Sequence, residues 1–352
     1  MGEFDYELPE RAIAQNPAEP RDSAKLLVDL GHGQPFEHAS VANLPELIVE
    51  GDVVVVNETS VIPARLQLKK ATGGVVEVLL LEPIAGGWSA LVRPGRRVKS
   101  GTELRSEKDP DLQVIVGDEI AEDGQRKIVV LHRDEPVANA SETVRLSKAG
   151  ESPLPPYIRS KAHSPGRYQT VYARTPGSVA APTAGLHLTE GLLQQIRDKG
   201  ARIEKVDLVV GIGTFRPVTV DDPADHVMHS ESYKVDESAW EACQAAERVV
   251  AIGTTTVRAL ESAARGTLSG RTNLFLRRGS TFEIVDALMT NFHMPRSTLL
   301  MMIDAFIGTR WKDIYREARS SKDKDTVATA WQRHVQLSVL CRNIASPKER
   351  NL

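Results

Sequence analysis

A change of sequence pattern near residue 66 constrains the fold more than any other feature. Between residues 66 and 149, short apolar runs such as "VVEVLLL" and "LQVIV" alternate with turns that contain Gly, Pro and Asp. No amphipathic stretch of helix length interrupts them. Short strands separated by turns at intervals of about ten residues are typical of a small β-barrel or β-sandwich. The pattern therefore predicts an all-β domain over residues 66–149.

The sequence on both sides of this region has the pattern of an α/β protein. The stretch "GDVVVVNETSVIPARL" (51–66) contains four consecutive valines, which predict a strand buried on both faces. After residue 165, apolar strand-like runs alternate with segments of helix length, which predicts a mostly parallel sheet. We therefore predict an α/β main domain formed by residues 1–65 and 150–352, with the β domain inserted into it.

Composition excludes several classes of protein. The net charge is −3 and aromatic residues make up 5% of the chain, which argues against a generally basic nucleic-acid binder or a large base-stacking surface. Two distant cysteines, Cys243 and Cys341, exclude a cysteine-rich zinc site and a disulfide framework. The first residues lack the apolar core of a secretory signal, and no apolar run is long enough to span a membrane. We expect a cytoplasmic protein without membrane association.

Three basic segments are the places where RNA contact would be expected. They are "RLQLKK" (65–70), "RPGRRVK" (93–99) and "IRSKAHSPGR" (158–167). Basic side chains on the edge of a small barrel would follow an RNA backbone. A solvated surface is the more common outcome for such runs, and both interpretations stay open. The proline-rich stretch "ESPLPPYIR" (151–159) is predicted to be a connector and a hinge.

Polar residues cluster at four predicted strand-to-helix turns, where α/β folds bind their ligands. The first cluster is "APTAGLH" (181–187), just before a helix that is predicted to start with Thr189 as its N-cap. Small residues let a ligand approach the backbone, and free N–H groups at a helix start favour an anion. Thr183, Gly185 and His187 are candidates for substrate binding, although a tight capping loop would have the same sequence.

The second cluster combines a glycine turn with titratable residues. "GIGTF" supplies Gly213, Thr214 and Phe215 as candidates for substrate binding, but a bare G-x-G is weak evidence for a nucleotide site and also suits a bend in a strand. "HVMHSESY" follows it, and its His229 and Glu231 are candidate acid–base groups. Their spacing of two residues is not that of a helical metal motif, so we expect no metal.

The third cluster is "GTTTVRALES", in which three threonines are predicted to precede a helix. The hydroxyls of Thr254 and Thr255, with the backbone amides of a helix start, would hold a carboxylate or a phosphate. Arg258 is a further candidate for substrate binding. Alternatively, Arg258 pairs with Glu261 three residues later on the same helix.

The fourth cluster is "TNFHMPRST", between a predicted strand and a helix capped by Ser297 or Thr298. Thr290, Asn291 and Ser297 are candidates for substrate binding, and His293 is a candidate base or a core histidine. Four such turns in one α/β domain are best explained by one shared pocket. The residues alone indicate an enzyme that acts on a polar, partly anionic small molecule.

Several longer motifs, taken in order along the chain, carry a family resemblance. They include "FDYELPERAIAQ", "GDVVVVNETSVIPARL", "RYQTVYA", "GSVAAPTAGLH", "GIGTFRPV", "MHSE", "GTTTVRALES" and "TNFHMPRSTLLMMIDAFIG". Over about residues 4–308 the chain resembles the S-adenosylmethionine:tRNA ribosyltransferase-isomerase family of queuosine biosynthesis. The resemblance implies a barrel-like α/β domain with an inserted small β-barrel, in agreement with the two patterns described above.

The resemblance also implies a reaction. The ribosyl group of S-adenosylmethionine, the co-substrate, is transferred and isomerised onto 7-aminomethyl-7-deazaguanine at the wobble position of a tRNA. The products are epoxyqueuosine-tRNA, adenine and methionine. The resemblance implies no metal, and we expect a monomer whose macromolecular partner is the precursor-bearing tRNA.

This chemistry assigns expected roles to residues of the four clusters. The sulfonium makes the adjacent C5′ protons acidic, so a base near that carbon would start the rearrangement. His229 and His293 are the candidates for that base, with Glu231 as an orienting or acid–base partner. The carboxylate of methionine needs an anion site, for which Thr254, Thr255 and the 181–187 loop are candidates.

The chain departs from the family pattern at several positions. They include Ser60, Val209, Arg271, Asn273, Arg277, Arg278 and the tail after about residue 311. The second hypothesis is therefore a divergent paralogue without this activity. Such a paralogue would serve as a nucleotide or RNA binding module or act on another nucleoside-type substrate.

Overall fold

The computed structural model describes residues 1–9, 13–31, 34–121, 124–155, 157–159, 165–211, 213, 218–320 and 338–342. The α-helices are α1 Glu190–Asp198, α2 Glu237–Ala245, α3 Thr254–Ala264, α4 Thr298–Ile307 and α5 Trp311–Ser320. The strands are β1 Lys25–Asp29, β2 Glu37–Ser40, β3 Asp52–Asn57, β4 Thr59–Val61, β5 Arg65–Lys70, β6 Val75–Ile84, β7 Gly87–Arg93, β8 Glu103–Arg105, β9 Leu112–Glu119, β10 Arg126–His132, β11 Glu135–Pro136, β12 Gly150–Glu151, β13 Thr175–Ser178, β14 Arg202–Leu208, β15 Glu231–Val235, β16 Arg248–Ile252, β17 Ser269–Thr272, β18 Ala287–Asn291 and β19 Ser338–Arg342. Within these residues, no helix combines the length and the apolar character needed to cross a membrane.

The main sheet has nine strands in the order β17-β15-β14-β3-β16-β18-β19-β1-β2. Its central block, β14-β3-β16-β18, is parallel, as the alternation of strands and helices predicted. The flanks are mixed, because β15 and β17 pair antiparallel on one side and β19 pairs antiparallel with β18 on the other. The predicted mostly parallel sheet is therefore confirmed for the centre and wrong for the flanks.

The four valines of β3 explain why both faces of this sheet are covered. Val53 and Val55 belong to an apolar core shared with α2, α3, α4 and α5. Val54 and Val56 point the other way, into a second apolar core that includes residues of α1. Side chains alternate along a strand, so a continuous apolar run needs an apolar layer on each side. The prediction of a strand buried on both faces is confirmed.

Six strands, β5-β6-β7-β10-β9-β8, form a closed antiparallel barrel in which β8 pairs back onto β5. Its centre is filled by alternating apolar side chains and by Trp88, which is fully buried and donates to the Val137 carbonyl oxygen at 2.6 Å. An α/β protein with an inserted β-barrel is thus confirmed. The boundaries 66–149 stay a prediction, although β12 pairs with the first residues of β5.

The C-terminal tail contributes to the main domain. Strand β19 lies between β18 and β1, antiparallel to the first and parallel to the second. Helix α5 adds Trp311 and Tyr315, which pack with Phe4 and Tyr6 near the N-terminus. The tail therefore completes the sheet and its apolar cover, a role that its sequence did not predict.

Candidate active site

His229, Glu231 and Arg258 form a polar cluster beside the main sheet. Glu231 begins β15, His229 lies two residues before it, and Arg258 lies in α3. The Arg258 guanidinium donates to the Glu231 carboxylate and, at 2.9 Å, to the carbonyl oxygen of His229. It also donates to the carbonyl oxygens of Thr272 and Leu274, each at 3.1 Å. Arg258 therefore fixes the segment that carries two of the predicted catalytic residues.

Burial and charge decide the ionisation of this cluster. The side chains of Glu231 and Arg258 are 3% and 6% exposed, whereas that of His229 is 30% exposed. Burial alone raises the pKa of the Glu231 carboxyl, but His229, Arg258 and the Gly211 N–H outweigh it and hold that pKa below its usual value. Burial lowers the pKa of Arg258, and the charge of Glu231 opposes this. Glu231 is thus a buried carboxylate, and His229 is the accessible member of the cluster.

Two glycines bring the backbone close to these side chains. His229 Nε2 lies 3.1 Å from Glu231 Oε1, which is ion-pair distance without the alignment of a hydrogen bond. A Cβ added at Gly213 would lie 2.6 Å from His229 Nδ1, and the Gly211 N–H donates to Glu231 Oε1 at 2.8 Å. The "GIG" turn therefore packs against the cluster. The predicted substrate-binding residues Thr214 and Phe215 lie outside the described residues.

The cluster opens into a cavity of about 390 Å³, called the His229 cavity below. Thr254 and Thr255 line it as the first turn of α3, not before the helix as predicted, because Gly253, with φ of +93°, ends the strand and occupies the N-cap position. Thr255 Oγ1 accepts a hydrogen bond from Asn57 Nδ2 at 3.2 Å. The other lining residues are mainly apolar and include Met228, Leu274, Phe275, Leu276, Thr298, Leu299 and Met302.

A larger cleft of about 680 Å³ contains three other predicted residues, Thr183, His187 and Asn291. Its further walls are mainly apolar and are lined by Ala14, Gln15, Asn16, Pro17, Ala18, Leu154, Pro155, Ile158, Arg167, Tyr168 and Leu186. We call it the His187 cleft. The first family motif reaches Gln15, but no local pattern marks residues 14–18 as binding residues, and the sequence predicts residues 154–158 only as part of a connector.

His187 is a neutral imidazole in this cleft. Its side chain is buried, and its Nε2 has no hydrogen-bond partner among the residues that the structure describes. Burial, with the charges of Arg167 and Arg21, lowers the pKa of His187 to about 4, although hydrogen bonds to the Arg21 backbone and the Asn291 side chain oppose the shift. A buried ring nitrogen with an unused hydrogen-bonding position is suited to a polar atom of a ligand.

The described residues line two cavities, whereas the sequence predicted one shared pocket. A 3₁₀ helix, Thr183–His187, lies between them. The first and last residues of this helix line the His187 cleft. Its Ala184 lies close to the start of α3, since a Cβ added at Gly253 would be 3.8 Å from Ala184 Cβ. The helix therefore lies next to both linings.

Two other predicted binding residues are occupied by packing and capping. A Cβ added at Gly185 would lie 1.9 Å from the Tyr172 hydroxyl oxygen, so the glycine permits a close approach. Ser297 is the N-cap of α4, as predicted, and its hydroxyl accepts from the Leu300 N–H at 3.3 Å and donates to the Met294 carbonyl oxygen at 2.7 Å. These contacts suit a structural role for both residues.

His293 lies in the core, apart from the linings of both cavities. The ring Nε2 of His293 lies 3.1 Å from Thr290 Oγ1. The backbone N–H of His293 donates to the Tyr315 hydroxyl at 2.8 Å, and its backbone carbonyl oxygen accepts from the Tyr6 hydroxyl. The side chain contacts thus fit the alternative of a core histidine, and Thr290 contributes to its support. The predicted catalytic role of His293 stays a prediction.

The alternative pairing of Arg258 with Glu261 is wrong. Glu261 is fully buried and accepts the backbone N–H groups of residues 283–285 at 2.9–3.1 Å. It also pairs with Arg265, four residues on. Arg258 pairs with Glu231 instead.

The departures from the family pattern at Arg271 and Arg278 lie outside both cavity linings. Arg271 donates to Glu82 of the barrel at 2.8 Å and to the carbonyl oxygen of Ser230 at 2.9 Å. Arg278 pairs with Asp304 at 2.9 Å and with Glu3 at 3.1 Å. Both arginines therefore make contacts that hold structural elements together.

Among the described residues, one group has the spacing of metal ligands: Asp109, Asp111 and His132 on the barrel. Their carboxylates already face cations, because Asp111 lies 3.0 Å from Arg133 and Asp109 lies 3.6 Å from Lys148. The group is remote in sequence from every predicted site residue. Its charges are balanced within the protein.

Comparison with known proteins agrees with this architecture. The family model described as queuosine biosynthesis protein matches residues 1–322. An S-adenosylmethionine:tRNA ribosyltransferase-isomerase of Rubrobacter xylanophilus is 47% identical over 317 residues, which are 90% of each chain. An S-adenosylmethionine:tRNA ribosyltransferase-isomerase of Moorella thermoacetica is 48% identical over 90% of this chain and 94% of the relative's chain. The crystal structure of an S-adenosylmethionine tRNA ribosyltransferase from Thermotoga maritima has a TM-score of 0.52 and 34% identity, covering 96% of this chain and 99% of that one. The chain belongs to the queuosine biosynthesis protein family.

Proposed function

We propose that this protein transfers and isomerises the ribosyl group of S-adenosylmethionine onto 7-aminomethyl-7-deazaguanine at the wobble position of a tRNA, releasing adenine and methionine. The observation that carries the proposal is the His229–Glu231–Arg258 cluster in the lining of a cavity, in a chain 47% identical to a ribosyltransferase-isomerase over 90% of its length. No observation favours the alternative of an inactive binding module.

His229 is the proposed base. The sulfonium of S-adenosylmethionine makes the C5′ protons acidic, and removal of one leaves the electron pair of the C–H bond on a carbon that the sulfur stabilises. His229 Nε2 is buried against Glu231, so Nδ1 is the nitrogen that takes the proton. Glu231 then stabilises the imidazolium, and Arg258 holds Glu231 in place. His293 is the second candidate for this role.

The two cavities suit two parts of the reaction. Thr254 and Thr255, in the first turn of α3, are proposed to hold the methionine carboxylate in the His229 cavity. The His187 cleft is proposed to hold a flat nitrogen heterocycle, because its walls are mostly apolar and Thr183, His187 and Asn291 place polar groups among them. Binding of adenine and of 7-aminomethyl-7-deazaguanine to the H187A variant would show which of the two bases occupies the cleft.

The remaining features of the proposal concern partners and location. S-adenosylmethionine serves as co-substrate without a metal, and the precursor-bearing tRNA is the second substrate. The protein acts as a monomer in the cytoplasm. Residues 66–149 form the inserted domain, and residues 1–65 with 150–352 form the catalytic domain.

Adenine release tests the proposal. Purified protein is mixed with S-adenosylmethionine and one of three additions: precursor-bearing tRNA, the same tRNA with guanine at the wobble position, or buffer. The proposal predicts one adenine per modified tRNA with the precursor alone. Binding of S-adenosylmethionine without adenine release in any mixture would contradict it and favour a binding module.

A further inference from the structure

One end of the β-barrel carries four exposed cations. We call the exposed side chains of Arg93, Arg96, Arg97 and Lys99 the cationic tip. The sequence predicts this basic segment as a candidate place of RNA contact, and in the structure its charged side chains are exposed. None of the four belongs to a salt bridge among the described residues. By contrast, most of the described arginines that are buried or half-buried pair with a carboxylate.

The backbone of the tip is held firmly against the barrel. Val98 lies between two tip residues, and its side chain is 3% exposed in the barrel core. Its carbonyl oxygen accepts from the Arg126 guanidinium, and the carbonyl oxygen of Arg97 accepts from Lys70 Nζ. A buried anchor with two backbone contacts presents the flanking side chains to solvent in a fixed arrangement.

The tip lies at the end of the barrel away from the main sheet. Strand β5 starts at Arg65, where it pairs with β12, and ends at Lys70, whose side chain reaches the tip. At about 3.4 Å per residue, this strand places the tip roughly 17 Å beyond the junction. At the junction end, Glu82 of β6 contacts Arg271 of the main sheet. The barrel thus holds a positive surface at a fixed distance from the His229 segment.

Three acidic residues on neighbouring strands accept from nearby side chains. Glu107 pairs with Lys69 at 2.6 Å, Glu77 accepts from Gln67 at 2.9 Å, and Glu103 accepts from Gln113 at 2.9 Å. Four cations grouped at one end of the barrel repel one another, and a polyanion relieves this repulsion. The chain as a whole has a net charge of −3, so a local positive surface decides which side an RNA approaches.

We propose that the cationic tip binds the phosphate backbone of the tRNA stem while the wobble base enters the site beside the main sheet. This inference rests on the proposed function, since the RNA is its substrate. Arginine and lysine side chains neutralise phosphates without reading the sequence, so the tip supplies affinity and register. The interaction is made with the stem backbone and does not require a particular base pair.

The test is a triple variant, R96Q/R97Q/K99Q, with R197Q/K199Q as a control that removes two exposed cations elsewhere on the surface. Arg197 and Lys199 are exposed at the end of α1 and belong to no salt bridge among the described residues. Affinity for precursor-bearing tRNA is measured at several salt concentrations, together with KM and kcat for adenine release. Thermal unfolding verifies that each variant is folded.

For the triple variant we expect KM for tRNA to rise about tenfold or more at low salt, with kcat unchanged within twofold. The slope of log affinity against log salt should fall by about two to three, since each neutralised phosphate contributes roughly 0.7–0.9. An anticodon stem-loop with a shortened stem should bind the wild-type protein and the triple variant equally.

A salt slope and a KM equal to those of the wild-type protein in the triple variant would overturn the inference. An equal loss of tRNA affinity in the R197Q/K199Q control would also overturn it. If the wild-type protein releases no adenine, the proposed function fails, and the tRNA binding measurements still decide the role of the tip. Weakened binding of an acidic protein, with tRNA binding unchanged, would assign the surface to a different partner and contradict the inference.

Discussion

Glu231 and Arg258 form a buried ion pair whose carboxylate also lies 3.1 Å from the ring of His229. The pair joins the first residue of β15 to the middle of α3, and these residues are 27 positions apart in the chain. A charged pair in this position costs desolvation, which is balanced by several hydrogen bonds to each partner. We interpret the pair as the support that fixes His229 for catalysis.

Glu231→Gln should lower both stability and activity. The amide keeps the shape but leaves Arg258 without a counter-charge, and removing one partner of a buried pair costs about 3 kcal/mol. Adenine release per folded molecule should fall on the order of 100-fold, because the imidazolium loses its anion. Glu261→Gln is the control: it removes another buried carboxylate and should lower stability alone. Equal rates in the two variants would contradict the supporting role of Glu231.

Gly213→Ala should displace His229. An added Cβ would lie 2.6 Å from Nδ1 of the ring, closer than any real contact, so the imidazole must move. We expect at least a tenfold loss of adenine release with little change in S-adenosylmethionine affinity. Gly211→Ala is the matched control, because its Cβ would lie 3.6 Å from Glu231 Oε1, an ordinary contact. Comparable activity of the two variants would show that the His229 position is not critical.

Stability should fall at acidic pH because of His187. Its folded pKa is lowered to about 4 by burial, below the unfolded value of 6.5, so below pH 6.5 the unfolded chain binds a proton that the folded protein excludes. Stability is therefore unaffected above pH 6.5 and falls between pH 6.5 and 4, by up to about 3 kcal/mol. The free energy of unfolding, measured with denaturant at pH 5 and at pH 8, should differ less between the two pH values for His187→Asn than for the wild-type protein. An unchanged difference would exclude His187 as its source.

Arg271→Ala should reduce activity more than stability. Arg271 connects Ser230, next to His229, to Glu82 of the barrel, and the arginine and glutamate side chains are 49% and 42% exposed. Exposed pairs contribute about 1 kcal/mol or less, whereas a shifted His229 segment slows the reaction. A several-fold lower kcat with a nearly unchanged Tm is expected. Arg271→Lys with full activity would show that the guanidinium contacts are dispensable.

Local sequence signals predicted the elements well. The four valines of β3 indicate a doubly buried strand. Thr189 is predicted as one N-cap and Ser297 or Thr298 as another, and the hydroxyls of Thr189 and Ser297 accept from the Leu192 and Leu300 N–H groups. Each of these features depends on neighbours within a few residues. Local periodicity and capping chemistry therefore predicted them.

Long-range contacts were beyond the sequence patterns. Arg258 has Glu261 as a neighbour on its own helix, but the antiparallel placement of β15 brings Glu231 to it instead. Strand β19 enters the sheet from a tail whose own sequence has no clear strand pattern. The placement of Ala184 beside Gly253, at the start of α3, is likewise decided by topology and packing.

The most direct test of the central claim is single-turnover adenine release by the His229→Ala and His293→Ala variants. Both are assayed with saturating S-adenosylmethionine and precursor-bearing tRNA, and rates are expressed per folded molecule. We predict a loss of about 100-fold or more for His229→Ala. For His293→Ala we predict lower thermal stability, because its contact with Thr290 is lost, and a rate within about threefold of wild type. A wild-type rate in His229→Ala would contradict the assignment of His229 as the base.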